Sequence, residues 1–136
     1  MLQTYTVSST GIELNTGDTV PFNINDISTC CNIVHSAGTP TIEIRRKGYY
    51  KITFSSVGYN TGAVVAGTPY SGMYAFQLNN KGVPIVNAVA ASSSTAVATT
   101  ENVMFSYILY IPPSCAIVNN RAELTVNYLG DRKSVV

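Results

Sequence analysis

Charge is what this chain has least of. Lys, Arg, Asp and Glu make up 11% of its 136 residues, against about a quarter in an ordinary soluble domain. Between Lys51 and Glu101 the only charged residue is Lys81. A monomer coats its exterior with such groups, because they lose the most on desolvation. A chain this short of them presents Ser, Thr and Asn to water, or hides part of its exterior against other subunits. The composition supports both. A net charge of +1 gives no electrostatic basis for binding nucleic acid, which needs a basic stripe matched to the phosphates. The cluster Arg45, Arg46 and Lys47, beside Lys51, reads as a solvated turn ahead of a strand.

Long apolar runs are missing too. No stretch approaches the roughly 18 residues that a bilayer-spanning helix needs. Met1-Leu2-Gln3-Thr4-Tyr5 has neither the basic start nor the apolar run of a secretory signal, so the expected place of synthesis is a cytoplasm. Cysteine occurs three times, an odd number that builds no disulfide framework and favours free thiols. The vicinal Cys30 and Cys31 lack a second pair or a histidine at zinc spacing. All three cysteines are expected to be small buried hydrophobes, and a bridge from Cys30 or Cys31 to Cys115 stays open.

The residues of common catalytic sites are equally sparse. His35 is the sole histidine, and nothing in the spacing selects a serine and an acid to act with it. The seven carboxylates stand singly, without the pairing that glycoside hydrolysis or a hard-metal cage needs. No Gly-Lys-Ser/Thr phosphate loop occurs. The expectation is a protein that is not an enzyme and carries no cofactor or metal.

What is present is a period of two. Ile42 and Ile44 alternate with Glu43 and Arg45; beyond Gly48, Tyr50, Ile52 and Phe54 alternate with Tyr49, Lys51 and Thr53. Tyr74, Phe76 and Leu78 alternate with Ala75, Gln77 and Asn79, ahead of turn chemistry at Asn79-Asn80-Lys81-Gly82 and extended structure over Val83 to Val86. The uncharged run from Val86 to Thr100 is rich in β-branched residues and is expected to be extended and packed. Leu124, Val126 and Tyr128 point inward from a closing strand, paired with Cys115 to Asn119. About eight to ten short strands without helical periodicity indicate an all-β sandwich or jelly roll of two antiparallel sheets.

Two segments stand out as candidates for function. Val103 to Ile111 is apolar on both faces and must be covered on both. Phe105, Tyr107 and Leu109 form the more continuous core stripe, so Met104, Ile108 and Tyr110 are the candidate subunit interface. The second is the loop from Tyr59 to Tyr74, punctuated by Gly62, Gly67 and Gly72. Its Tyr59, Tyr70 and Tyr74 are candidate ligand residues, since exposed tyrosines suit adaptable recognition and sugar faces. The plainer reading of that loop is a surface crossover.

Four pieces stand in a suggestive order: Gly17-Asp18-Thr19-Val20-Pro21-Phe22-Asn23; Thr41 to Ile44 with Gly48-Tyr49-Tyr50-Lys51-Ile52-Thr53-Phe54; Phe76-Gln77-Leu78-Asn79 followed by Gly82-Val83-Pro84-Ile85; and Ala122 to Leu129. Together they resemble the C1q/TNF-like jelly roll, especially its bacterial and phage members such as the C-terminal domain of spore-surface collagen-like glycoproteins. The resemblance implies a jelly-roll domain over 16–131, flanked by an arm or extra strand at 1–15 and a tail at 132–136. It also implies a homotrimer with one sheet of each subunit packed about a three-fold axis. The chain departs from the spore proteins in lacking a Gly-x-y stalk, and from C1q in lacking an Asp/Glu cluster for calcium. By analogy it looks like a phage virion protein, a head fibre or capsid decoration made in the host bacterial cytoplasm. Its N-terminal segment would then meet other virion proteins. The alternative is a receptor- or glycan-binding adhesion module of a phage tail, or of a bacterial spore or cell surface.

Overall fold

The structure, a computed structural model, describes residues 1–5, 11–28, 31–61, 72–94, 100–113, 121–130 and 134–136. Among them are eleven strands: β1 Leu2–Tyr5, β2 Glu13–Leu14, β3 Ile24–Ser28, β4 Ile33–His35, β5 Ile42–Ile44, β6 Gly48–Asn60, β7 Gly72–Asn80, β8 Val83–Ser94, β9 Glu101–Ile111, β10 Ala122–Tyr128 and β11 Ser134–Val135. They form a five-stranded sheet in the order β4-β5-β10-β7-β8, a four-stranded sheet β2-β11-β6-β9, and a two-stranded ribbon β1-β3. Every pairing is antiparallel. The larger sheets face each other as the layers of an all-β sandwich.

Local chemistry explains where the chain changes layer. The alternating residues on either side of Gly48 belong to different sheets, β5 in one and β6 in the other. Gly48 sits at φ 145°, a backbone conformation that a Cβ makes strained. At the β7–β8 hairpin, Asn80 pairs with Val83 across the two-residue loop Lys81-Gly82. Both loop residues have positive φ, 50° and 77°, the type I′ pattern that matches the twist of a hairpin.

The core lies between the sheets, and aromatic rings fill its middle. Phe54 and Phe105 of the four-stranded sheet stack with centroids 5.4 Å apart. Phe54 meets Phe76 of the opposing sheet at 5.1 Å, and Phe76 meets Tyr74 and Tyr128 at 5.0 and 5.4 Å. Leu78, Leu124, Val126, Val103, Leu109 and Ile111 surround them, all buried. The inward stripes expected on β6, β7, β9 and β10 are therefore the inward stripes of the fold. Tyr50 is half-buried rather than enclosed, because near the end of β6 its hydroxyl turns to donate to the Arg46 carbonyl at 2.7 Å.

The ends of the chain are drawn in. Residues 13–14, inside the expected arm, and residues 134–135, inside the expected tail, pair with each other. β11 also pairs with Tyr59 and Asn60 of β6, and Leu14 is buried in the core. The Val-Pro-Phe segment forms isolated bridges rather than a named strand, Thr19 to Asn127 and Phe22 to Thr39, while Val20 and Phe22 are buried. The expected partner segment Cys115 to Asn119 lies outside the described residues. β10 takes its described partners from β5 and β7 instead. Cys31 is free and exposed, which corrects the expectation of a buried thiol there: it stands in the turn leading into β4, outside the packed layers. Cys30 and Cys115 lie outside the described residues.

Candidate functional site

β6 and β9 run side by side for eleven residue pairs, from Gly48 opposite Ile111 to Gly58 opposite Glu101. Strand alternation sends Phe54 and Phe105 inward and their sequence neighbours outward. On the outward side of β9, Met104, Ile108 and Tyr110 are 68%, 65% and 52% exposed. These are the three residues expected to face away from the core, and no described element covers them. Tyr49, 77% exposed, stands directly opposite Tyr110, with ring centroids 4.7 Å apart. Val57 is exposed further along β6, beside a shallow depression lined by Ser55, Ser56, Asn102 and Met104. The result is an outer face with exposed apolar residues towards both ends of the ladder and the polar pair Thr53 and Ser106 between them. On those strands Lys51, opposite Ile108, is the only outward charge.

Tyr49 and Val57 belong to this face but were not assigned to it from sequence. Alternation already sets Tyr49 opposite Tyr50. Its meeting with Tyr110 needs the strand register, which pairs residues more than sixty positions apart in the chain.

The second candidate segment divides three ways. Tyr59 is exposed at the far end of β6, and Tyr70 lies outside the described residues. Tyr74 is fully buried, which corrects its assignment as a ligand residue. It falls on the inward stripe of β7 with Phe76 and Leu78, and its hydroxyl is 2.6 Å from Ser56 Oγ. Nearby, Tyr128 donates to Asn60 Oδ1 at 3.1 Å and approaches the Met73 carbonyl at 3.3 Å. Gly130 passes so close to the Tyr128 ring and the Met73 carbonyl that a Cβ would overlap both. These polar groups close one end of the core rather than open a site.

Burial pushes the Tyr74 hydroxyl up to about 12, against a smaller lowering by Ser56. Since an unfolded tyrosine ionises near 10, the unfolded chain loses this proton first. Stability should therefore fall as the pH rises from about 10 towards 12. Denaturant midpoints across that range, compared with those of Tyr74→Phe, check this. An equally steep alkaline loss in the variant would assign the effect elsewhere.

The outer face of the five-stranded sheet is chemically different. Thr19, Thr41, Asn79, Lys81, Glu123, Thr125 and Asn127 line a shallow polar groove there. At its edge Thr125 donates to Asn127 Oδ1, and Asn127 Nδ2 donates to the Gly17 carbonyl. The basic cluster is exposed, as a solvated turn should be. Its Arg45, together with Arg121 from the start of the β10 segment, binds Glu43, at 3.1 and 2.8 Å. The hydrogen bond from Arg45 is the main reason that the Glu43 carboxyl is held below the usual range.

Among the described residues no group of three His, Cys, Asp or Glu is placed to hold a metal, and no helix is long and apolar enough to cross a membrane. Searches with protein-family models and among curated proteins find no match for this chain.

Proposed function

We propose that this chain is a non-enzymatic jelly-roll protein that assembles as a homotrimer through the outer face of β6 and β9. The observation that carries the proposal is the exposed set of Tyr49, Met104, Ile108 and Tyr110. Exposed apolar residues gathered on one sheet face, here with the polar pair Thr53 and Ser106 among them, mark an interaction surface. A second copy of the chain suits it, because a face whose one outward charge is Lys51 can meet its own symmetry mates with little charge to desolvate. Lys51 is compatible with that, since its four-carbon stem lets the ammonium reach water past the seam.

The strand order supports the jelly-roll reading. The last strand returns to lie beside the first strand of its sheet, β2 beside β11, and β10 returns between β5 and β7. Long returns of this kind characterise Greek-key connections, and two of them make a jelly roll. The three-fold symmetry follows from the resemblance to C1q/TNF-like domains, as does the place of action. A structural subunit of a phage virion, a head fibre or capsid decoration, fits a charge-poor exterior used for cohesion.

Light scattering tests the assembly. The expected mass is three times the 14.5 kDa chain. A monomer at micromolar concentration overturns the proposal, and a stable dimer overturns its three-fold form. Copy number in a purified particle tests the location. Hundreds of copies favour decoration, whereas a few at a tail tip favour the second reading.

That second reading is a receptor- or glycan-binding module, and it now rests on the polar groove rather than on the tyrosine loop. Thr19, Thr41, Asn79, Thr125 and Asn127 offer the mixed donors and acceptors that sugar hydroxyls need. Binding of neutral oligosaccharides that is lost in Thr125→Val would favour it.

A further inference from the structure

β8 is an edge of the five-stranded sheet: β7 pairs with one side of it, and among the described residues no strand pairs with the other. Its twelve residues, Val83–Ser94, carry no charge, and Val83, Val86 and Val89 are exposed. Long, apolar, uncharged edges of this kind are templates for strands of other chains. The opposite edge, β4, is three residues long, and β2 in the second sheet is two. β9, the other long edge, borders the proposed seam.

Two features interrupt the β8 edge, and the first is Pro84. Asn80 and Val83 close the two-residue hairpin as its hydrogen-bonded pair. The next pair, Asn79 and Pro84, is then the one without ladder bonds, its backbone nitrogens and oxygens turned away from each other. The Pro84 nitrogen therefore faces the open side of β8. An incoming strand would need a donor there, and proline has none.

The second feature is a bulge. Gln77 pairs with Val89, and Asn79 pairs with Pro84. Leu78 alone thus stands against four residues, Ile85, Val86, Asn87 and Ala88, where a regular ladder sets one. The bulge is anchored at both ends. Ala88 is buried, Ile85 packs against the core, and Gln77 Nε2 donates to the Ile85 carbonyl at 3.3 Å. Between the anchors, Val86 and Asn87 stand out into solvent, a step that a straight strand cannot follow. Neither of them belongs to the core, so packing alone does not call for the extra residues. Ala88 by itself opposite Leu78 would complete a regular ladder.

We infer that Pro84 and the bulge at 85–88 guard the β8 edge, and that the partner they exclude is β8 of a second copy. Antiparallel pairing about a two-fold axis would set β8 against β8 and join two five-stranded sheets into one. Because the strand is uncharged, no repulsion between like charges opposes that pairing. The exclusion therefore comes from backbone shape and from the missing donor. The guard acts on a surface apart from the outer face of β6 and β9, and it holds whether or not that face is a seam.

Removing the guard tests it. Deletion of Ile85, Val86 and Asn87 leaves Ala88 opposite Leu78, and Pro84→Val restores the donor. In the full chain carrying both changes, scattering mass should rise with concentration to about twice the wild-type mass or more, since a pair is the first product of edge pairing. Amide exchange should show the β6 and β9 core still protected. Adding Val89→Lys, a charge on the straightened edge, should return the mass to the wild-type value. A mass that stays at the wild-type value with the core protected overturns the guard. So does growth that Val89→Lys fails to reverse. If the deletion costs the fold, read as lost core protection, Pro84→Val with Gln77→Ala restores the donor and frees the bulge at full chain length. That variant is held to the same two outcomes.

Discussion

Phe54→Ala should lower the unfolding free energy by about 3–5 kcal/mol, the range for removing a ring from a packed core. Phe54 is 8% exposed and bridges the layers, stacked on Phe105 of its own sheet and tilted against Phe76 of the other. Its neighbours are carried on long strands, and the β6–β9 ladder holds its register across eleven pairs. The cavity therefore has little means of closing, and the lost dispersion contacts go unreplaced. Denaturant unfolding at a fixed subunit concentration measures the effect as a shift in midpoint at unchanged slope. Thr53→Ala, one residue away on the exposed side of β6, should stay within about 0.5 kcal/mol. A loss below about 1 kcal/mol at Phe54 would mean that the core repacks around the gap, contrary to the packing argument for the two-layer sandwich.

Ile108→Asp should dissociate the proposed trimer while leaving the subunit folded. Ile108 is 65% exposed in the single chain, so the substitution removes little intramolecular packing. In a symmetric seam it places one carboxylate per subunit in an apolar, desolvated contact, where charge is costly and like charges repel. Lys51 stands across the ladder from position 108 and would partly neutralise the new charge in the free subunit. Met104→Asp, opposite Ser55, has no such cation and should dissociate at least as fully. Val86→Asp on β8, 81% exposed and on the other sheet, should leave the mass unchanged. Scattering mass and circular dichroism together read the outcome. If both Ile108→Asp and Met104→Asp stay at the full mass, this face is not the seam.

Much of the fold was legible before the structure because strands in a half-buried sheet write their two faces into alternate residues. Phe54, Phe76, Leu78, Phe105, Leu124 and Val126 follow from that rule alone, as does the outward direction of Met104, Ile108 and Tyr110. Turn chemistry at Lys81-Gly82 is local and was equally legible. Tyr74 shows the limit from the other side. Read as part of a tyrosine-bearing loop it suggested a ligand, yet it also lay on the alternation with Phe76 and Leu78, and the core claimed it.

The chain's own order of residues thus determined the strand class, the inward stripes and the scarcity of charge. These depend on near neighbours and on composition. Only the tertiary structure decided which strands lie side by side: that β2 meets β11, that Tyr49 meets Tyr110. Pairing and register are set by contacts between residues far apart in sequence, each favourable only once the layers have packed. No local pattern carries them.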